Sequence, residues 1–367
     1  MRILQVNSAR GWSGGQAQVL FLTRGLLERG HEVIVACPAE SELAKRSSAC
    51  GIPVEPVPMR SEADIPSVVR LYRLMRKHRI QIVNAHKPQP FTLASPAASL
   101  ARVPVVVYSR RVSFPLGRNI ISRWKWRSFK LDGIVAVSQR IRDELIEFGY
   151  PPDRIEVIYS ATDTDRFAPG VDGSGIRAEL DLPEGARLIT KVANHLEWKG
   201  HFVFMDAAER ICRLRDDVYF LVVGNETSFT SRMRERLERS DMKGRFFIWG
   251  YREDVPEIIA ASNITVNASV AGEGLAGVLR ESLAMKVPVI STKVGGNPEL
   301  VEHERTGLLV DSDDAEALAD AIVRLLDDAE LAASLAQAGH ELVFRRFSID
   351  AMVSQTEAFY RRLLASR

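Results

Sequence analysis

Two glutamates flanking a run of small residues give the strongest chemical signal in the sequence. Glu273 and Glu281 are separated by eight positions in GEGLAGVLRESLA. A helix beginning just after Glu273 would hold the two carboxylates about 12 Å apart on nearly the same face, at about 1.5 Å and 100° per residue. This is about the distance from the sugar to the ribose of a nucleotide-sugar. The spacing suggests one carboxylate for sugar hydroxyls and the other for ribose hydroxyls.

Small residues occupy the expected start of this helix. Gly274, Leu275, Ala276 and Gly277 would carry the N–H groups that the first turn leaves unpaired. A helix N-terminus favours negative charge, and small side chains let a diphosphate approach the backbone. We expect these residues to bind the phosphates of such a ligand.

Four segments in a fixed order resemble one known family. They are SGGQAQVLFLTRGLLERGHEV (13–33), VIYSATDTDRFAP (157–169), WKGH (198–201), and GEGLAGVLRESLA followed by VGGNPELV (272–301). Together they resemble family 4 of the retaining glycosyltransferases, over nearly the whole chain. The resemblance implies the α/β fold called GT-B, with two Rossmann-like domains facing a central cleft and a C-terminal helix crossing back to the N-terminal domain.

The resemblance also implies roles in binding a nucleotide-sugar donor and in catalysis. Glu273 would lie near the transferred sugar and Glu281 on the ribose. Lys199 would offset the charge that develops on the diphosphate leaving group. Gly14 and Gly15 would form a loop over the donor phosphates, because glycine lets the backbone approach a ligand and adopt φ > 0.

Two positions depart from the family pattern. Many relatives carry an arginine five positions before the lysine, where this chain has Asn194, and Lys191 or a residue of the other domain is an alternative phosphate cation. A second family histidine is replaced by Arg110. Because arginine stays charged and binds anions through a planar fork, we expect Arg110 and its neighbour Arg111 to contact the acceptor or the donor phosphate. An ordinary surface arginine is the alternative.

His86 follows the strand in IVNAHKP, at the edge where open α/β sheets collect ligands. Relatives also have a histidine there, so we expect a catalytic and acceptor-binding role, with a structural histidine as the alternative. Gly250 also follows a strand, and we expect it beside the nucleotide base.

No cofactor or metal ion is expected. Asp163-Thr164-Asp165 mimics a metal-binding D-x-D, but it falls in the expected interdomain segment and does not follow an apolar strand. Cys37, Cys50 and Cys212 are scattered and suggest neither a disulfide framework nor a metal site. They favour a reducing cytoplasm. The N-terminus lacks the layout of a signal peptide, and no apolar run is long enough to span a membrane.

The net charge of the chain is only +2, but charged residues are unevenly distributed. The stretch 102–130 contains Lys and Arg and no acidic residue. Its cations are Arg102, Arg110, Arg111, Arg118, Arg123, Lys125, Arg127 and Lys130, and Phe114, Trp124, Trp126 and Phe129 are interleaved with them. Cations beside interfacial aromatics suit an anionic membrane surface. A solvated helix with inward tryptophans is the alternative. Nucleic acid is not expected as a partner, because the whole-chain resemblance leaves no room for a recognition module.

Two series of apolar strands alternating with helical patterns must position these groups. The expected strands are 3–6, 33–36, 82–85, 103–108 and 133–137, then 188–192, 219–223, 246–249, 264–266 and 287–290. Such alternation predicts two parallel sheets with crossover helices. The 367 residues suffice for two domains. We expect an acceptor domain at 1–165, a donor domain at 166–346 and a returning helix at 347–367.

These observations favour a retaining glycosyltransferase that acts at the cytoplasmic membrane face on an envelope glycan or lipid-linked acceptor. A sugar-nucleotide epimerase of the same architecture is one alternative. A non-catalytic protein that binds nucleotide-sugars is another, suggested by Asn194 and Arg110.

Overall fold

The computed structural model describes residues 1–113 and 129–367. Tertiary contacts divide them into two compact units. The N-terminal unit comprises Met1–Ala161 and Ile349–Arg367, and the C-terminal unit comprises Thr162–Ser348. Each unit is a parallel sheet with crossover helices, so the prediction of two Rossmann-like domains is confirmed.

Seven parallel strands form the sheet of the N-terminal unit in its described residues. They are β1 (Arg2–Val6), β2 (Glu32–Cys37), β3 (Val54–Pro56), β4 (Ile82–Ala85), β5 (Val105–Arg110), β6 (Gly133–Ala136) and β7 (Ile155–Val157). The spatial order is β3-β2-β1-β4-β5-β6-β7, with Ile3 opposite both Val33 and Ile82. Because helices cover both faces, the central strands are almost continuously apolar.

The helices of this part of the chain connect successive strands. They are α1 (Gly14–Glu28), α2 (Glu42–Ala49), α3 (Ile65–Lys77), α4 (Pro88–Ala101) and α5 (Gln139–Phe148). Side chains of Ser41, Asp64 and Ser138 accept backbone N–H groups in the first turns of α2, α3 and α5. These caps fix where the three helices begin.

Six parallel strands form the second sheet. They are β8 (Arg187–Val192), β9 (Val218–Val223), β10 (Phe246–Trp249), β11 (Ile264–Asn267), β12 (Val289–Thr292) and β13 (Leu308–Val310). The order is β10-β9-β8-β11-β12-β13. Strands β8, β9 and β10 therefore follow one another toward one edge of the sheet. Strands β11, β12 and β13 then follow one another toward the opposite edge. The gap between their carboxyl ends is the switch point, where open α/β sheets bind ligands.

Seven helices of the C-terminal unit cover this sheet. They are α6 (Ser174–Glu179), α7 (His201–Leu214), α8 (Ser228–Glu238), α9 (Val255–Ala261), α10 (Gly277–Ala284), α11 (Ala315–Asp327) and α12 (Ala329–Arg346). Among all described helices, none combines the length and apolar composition needed to cross a bilayer.

The last helix, α13 (Ile349–Ala365), belongs to the N-terminal unit. Its Met352, Val353, Phe359 and Tyr360 are buried in the core that contains β1, β4 and β5. The Tyr360 hydroxyl accepts a hydrogen bond of 2.7 Å from the amide of Asn84 on β4. The helix thus covers part of one face of the first sheet.

Two strands start two residues later than predicted, for the same reason. The expected strands 103–108 and 287–290 begin two residues too early, because Pro104 and Pro288 lack the N–H group that a central strand requires. The three-residue strands β3, β7 and β13 carry too few residues for a pattern and were not predicted.

Candidate active site

The polar loops of the C-terminal unit meet at the carboxyl edge of its sheet. The loop after β8 carries Asn194 and Lys199, and the loop after β11 carries Ser269 and Glu273. Because β8 and β11 are parallel neighbours, these two loops lie at the switch point. The structure thus brings together Lys199 and Glu273, which are 74 positions apart.

Glu273 is buried at 5% exposure and accepts three hydrogen bonds through Oε1. Lys199 Nζ donates at 2.6 Å, Ser269 Oγ at 2.6 Å and Asn267 Nδ2 at 3.2 Å. Burial favours the protonated acid, but the Lys199 ammonium and these hydrogen bonds outweigh it and lower the pKa of Glu273. The carboxylate is therefore ionised at neutral pH.

Lys199 is presented by a tight loop. Its ammonium lies 4.1 Å from the ring centroid of Trp198, and the Trp198 carbonyl accepts the N–H of Val270 at 2.8 Å. Gly200 follows with φ +67°, and a Cβ there would collide with the carbonyl of Ala268. Glycine is required at this position because the two loops touch through their backbones.

A second loop, after β12, holds the backbone of Glu273. Gly295 has φ +57°, and a Cβ at Gly295 would collide with the Glu273 carbonyl. Asn297 is fully buried; its Oδ1 accepts the N–H of Ala276 at 3.1 Å, and its Nδ2 donates to Asn267 Oδ1 at 3.3 Å. Asn297 therefore positions both the carboxylate loop and the residue that binds the carboxylate.

The expected helix after Glu273 begins later than predicted. Helix α10 starts at Gly277, so Gly274 and Leu275 precede it, and the N–H of Ala276 is already bonded to Asn297. Only Gly277 of the four expected phosphate-binding residues lies in the first turn. The premise that a helix begins just after Glu273 is therefore wrong for this chain.

Glu281 is half-buried on α10, near Gly277 in the first turn of that helix. Burial raises the pKa of Glu281, opposed by the charges of Arg280 and Arg166. Arg280 is itself buried and donates to the carbonyl of Leu275 at 3.1 Å. The two predicted glutamates thus have different surroundings.

Asn194 and Gly250 lie at the same carboxyl edge as Lys199. The Oδ1 atom of Asn194 accepts from Asn225 Nδ2 at 2.9 Å, and its backbone carbonyl pairs with His201 Nε2 at 2.9 Å. Gly250 directly follows β10, with the side chain of Glu226 nearby. Asn194 thus supplies a neutral amide at the position where the family pattern has an arginine.

His86 lies at the corresponding switch point of the N-terminal unit, after β4 and beside β1. Its Nε2 pairs with Gln5 Oε1 at 2.6 Å, which fixes that nitrogen as the donor, and Arg111 Nη2 donates to its Nδ1 at 3.5 Å. Burial and the Arg111 charge hold the pKa of His86 well below its usual value. The imidazole is therefore neutral, and it orients Arg111, which also donates to Ser160 Oγ at 3.3 Å.

Arg110 is the last residue of β5 and is buried at 4% exposure. It hydrogen-bonds Tyr108, whose pKa burial raises to about 12 against the influence of Arg110. The alternative interpretation of Arg110 as a surface arginine is therefore wrong. Arg111, the next residue, is half-buried beside His86.

Gly14 and Gly15 are the first two residues of α1. Neither has a positive φ, so that part of the expectation is wrong. Among the described residues, a Cβ at Gly14 would meet no atom within 4 Å, and a Cβ at Gly15 would meet Ser13 Oγ at 3.9 Å. The pair leaves open space at a helix N-terminus, which suits the approach of an anion.

Two remaining predictions concern metal ions and membranes. Asp163 Oδ1 accepts the N–H groups of Asp165 and Arg166 at 3.3 and 3.2 Å, so the D-x-D sequence forms a turn. Over residues 1–113 and 129–367, no three His, Cys, Asp or Glu side chains are grouped to hold a metal ion. Most of the basic and aromatic stretch 102–130, including Trp124 and Trp126, lies outside the described residues.

Comparison with known proteins identifies the family. Residues 12–166 match the model of Glycosyltransferase Family 4, and residues 186–328 match that of Glycosyl transferases group 1. Alpha-maltose-1-phosphate synthase of Mycolicibacterium smegmatis is 30% identical over 266 residues, which are 67% of each chain. The chain belongs to glycosyltransferase family 4. This family 4 enzyme is also similar to an Escherichia coli UDP-Gal:alpha-D-GlcNAc-diphosphoundecaprenol alpha-1,3-galactosyltransferase, 26% identical over 72% of this chain and 71% of the relative.

A solved structure shows the same fold over the whole glycosyltransferase. Anabaena HepE in complex with UDP-glucose has a TM-score of 0.86, 21% identity and complete coverage of both chains. At that identity the likeness shows the fold alone, which is GT-B.

Sequence reasoning missed Asn267, Ser269 and Asn297 as residues that position Glu273. A usable signal was present in the polar residues Asn267 and Ser269, which closely follow the apolar strand ITV. Asn297 lies in the segment VGGNPELV, and its contact with Ala276 joins residues 21 positions apart.

Proposed function

We propose that this family 4 glycosyltransferase is a retaining enzyme that moves a sugar from a nucleotide-diphosphate-sugar to a hydroxyl of a glycan or lipid-linked acceptor. The pair of half-buried Lys199 and buried Glu273, at the switch point of the C-terminal sheet, carries the proposal. The E. coli relative is named for a UDP-sugar donor and a lipid-linked acceptor, and HepE was solved with UDP-glucose. Both names support a donor of this class.

In this proposal Lys199 and Glu273 separate when the donor binds. The Lys199 ammonium turns to the diphosphate, where it offsets the charge of the leaving group. Ser269 and Asn267 still donate to Glu273, so the buried carboxylate remains hydrogen-bonded. Glu273 can then accept a hydroxyl of the transferred sugar.

The same contacts favour a reaction without a protein nucleophile. Ser269 and Asn267 still donate to Glu273 Oε1 after Lys199 has turned away, which weakens the carboxylate as an attacking group. We propose that the acceptor oxygen attacks the anomeric carbon from the face that the diphosphate leaves. The carbon–oxygen bond to the diphosphate breaks, the bond to the acceptor oxygen forms, and the acceptor proton passes to the departing phosphate.

We assign acceptor binding to the N-terminal unit. Arg111 is held between His86 and Ser160, so its guanidinium is preoriented for an anionic group of the acceptor. The neutral imidazole of His86 adds no charge that would repel Arg111. The proposal gives His86 a positioning role toward Arg111 in addition to its expected acceptor contact.

A thermal-shift panel with UDP, GDP, ADP and CMP tests the donor site. A nucleotide at about 100 times its dissociation constant stabilises the fold by about 2.7 kcal/mol. We expect one nucleoside diphosphate to raise Tm, with the shift reduced in Glu281→Ala and Lys199→Ala. Lys243→Ala is the matched control, because Lys243 is exposed in the same unit.

Kinetics with the cognate donor separate the two glutamates. Glu281→Ala should mainly raise the KM for the donor, and Glu273→Gln should mainly lower kcat. Equal, near wild-type kinetics for both variants would contradict the assignment. Proton NMR of the anomeric centre tests retention, and a product of inverted configuration would refute it.

We further propose that the enzyme works on the cytoplasmic face of an anionic membrane through the stretch 102–130. Sedimentation with vesicles of phosphatidylglycerol, against vesicles of phosphatidylcholine, should show binding that falls as salt is raised. Replacing Arg118, Arg123, Lys125 and Arg127 by serine should abolish it. Equal binding to both vesicle types would contradict this part of the proposal.

A further inference from the structure

Lys191 is a lysine of the central strand β8 whose side chain is fully buried. Its Nζ has no hydrogen-bond partner among the described residues. An unpaired ammonium is costly in an apolar interior, so such a group either loses its proton or finds an anion. Burial, helped by the charge of Lys199, lowers the pKa of Lys191 to about 7.

The position of Lys191 relates it to the candidate donor site. Along β8, Ile189 and Lys191 point to the same face, and the Ile189 face is covered by α7. The charges that act on the Lys191 amine come from Lys199 and Glu273. Both belong to the loops that meet at the switch point.

The other titratable groups around Lys191 leave its charge uncompensated. Lys199 and Glu273 are paired at 2.6 Å and nearly cancel. His201, at the start of α7, is neutral, because burial and then the Lys191 charge lower its pKa to about 2. His195 packs edge-on against His201 at 5.4 Å and has its own pKa lowered by burial. None of these groups supplies a free negative charge to Lys191.

We propose that Lys191 is a proton-coupled cation of the donor site, whose amine takes up one proton from solvent when the diphosphate of a nucleotide-sugar binds and releases it when the nucleotide leaves. The proposal rests on the proposed function, because it requires that donor. The amine gains H⁺ and becomes an ammonium beside the bound dianion, and no covalent bond to the donor forms.

The physical reason is the balance of charge at the switch point. Without ligand, the Lys199–Glu273 pair is nearly neutral and Lys191 is largely uncharged above pH 7. A diphosphate brings two negative charges into a site of low dielectric, which favours the charged form of a nearby amine. The Lys191 ammonium thus forms as a second cation, beside Lys199, only when the diphosphate is bound.

Isothermal titration calorimetry tests this inference on the full chain. UDP-glucose and GDP-mannose are titrated separately at pH 8.5, in two buffers that differ in ionisation enthalpy. Neither donor has a phosphate monoester, whose second pKa near 6 would add its own proton uptake. The difference in heat between buffers gives the number of protons taken up per donor bound.

Wild type should take up close to one proton per donor, and Lys191→Met close to none. The matched control is Lys243→Met, the same change at an exposed lysine of the same unit, and it should behave like wild type. Affinity of wild type should also fall by about tenfold per pH unit above pH 8, whereas Lys191→Met should show no such slope. Circular dichroism and Tm establish that each variant is folded.

The outcomes separate this inference from the proposed function. Equal proton uptake in wild type and Lys191→Met, or wild-type affinity with no pH slope, would overturn the role of Lys191 alone. Failure of folded wild type and Lys243→Met to bind either nucleotide-sugar would overturn the donor class of the proposed function and this inference together.

Discussion

Replacing Lys191 by methionine removes the buried amine and keeps a side chain of similar length. Between pH 7 and pH 10.5 the unfolded chain keeps a proton on Lys191, whereas the folded protein has largely lost it. The unfolded state then binds more protons, so the wild-type free energy of unfolding rises with pH. With pKa values of about 7 folded and 10.5 unfolded, the gain from pH 7 to pH 9 is about 2 kcal/mol.

The methionine variant lacks this contribution, and its other groups titrate as in wild type. We therefore expect the free energy of unfolding of Lys191→Met to exceed that of wild type at pH 7. This difference should be about 2 kcal/mol smaller at pH 9. Because a two-unit chain need not unfold in one step, the readout must report the C-terminal unit. Pulse labelling of Cys212, buried on α7, as a function of urea concentration does so.

A stability difference that stays constant from pH 7 to pH 9 would refute the reasoning. It would mean that the Lys191 amine keeps its proton in the folded protein over this pH range, as it does in the unfolded chain. Lys243→Met should give a constant difference near zero, because Lys243 is exposed.

Three further changes test other parts of the structure. Gly200→Ala should destabilise the C-terminal unit by more than about 2 kcal/mol in urea unfolding, because φ +67° and the nearby Ala268 carbonyl exclude a Cβ; Gly175→Ala, with open space around it, is the control. Tyr360→Phe should lower the free energy of unfolding of the N-terminal unit by about 1 kcal/mol, since it removes a buried hydrogen-bonded hydroxyl; an unchanged value would show that this bond adds nothing. Ser269→Ala should lower kcat severalfold with little effect on Tm, and unaltered kinetics would argue against its support of Glu273.

The sequence predicted the main elements because apolar runs of strand length alternate with helical patterns. The predicted starts of some strands and of one helix were wrong, because single residues or contacts decide where those elements begin. Pro104 and Pro288 delay β5 and β12 by two residues, although the apolar runs begin before them. The start of α10 is set by contacts of distant residues, since Asn297 takes the N–H of Ala276 and leaves Gly277 as the first helical residue.

For the candidate site, residue type and order indicated Lys199 and Glu273, and the structure shows that they pair. The burial of Glu273 was not predictable, because the loops that enclose it are far apart in sequence. Lys191 illustrates this limit. In sequence it is one lysine in a strand of mixed composition, and only the neighbouring strands and α7 make it fully buried.

The place of α13 has a consequence for how the protein is made. Residues 1–161 leave the ribosome first, but the core around β1, β4 and β5 also needs Met352, Val353, Phe359 and Tyr360. At about 5 to 20 residues per second, the ribosome needs roughly 10 to 40 s to travel from the end of the first segment to the last helix. During that interval one apolar face of the first sheet is incomplete while the whole second unit is translated. The unit that begins the chain is thus the one that is finished last.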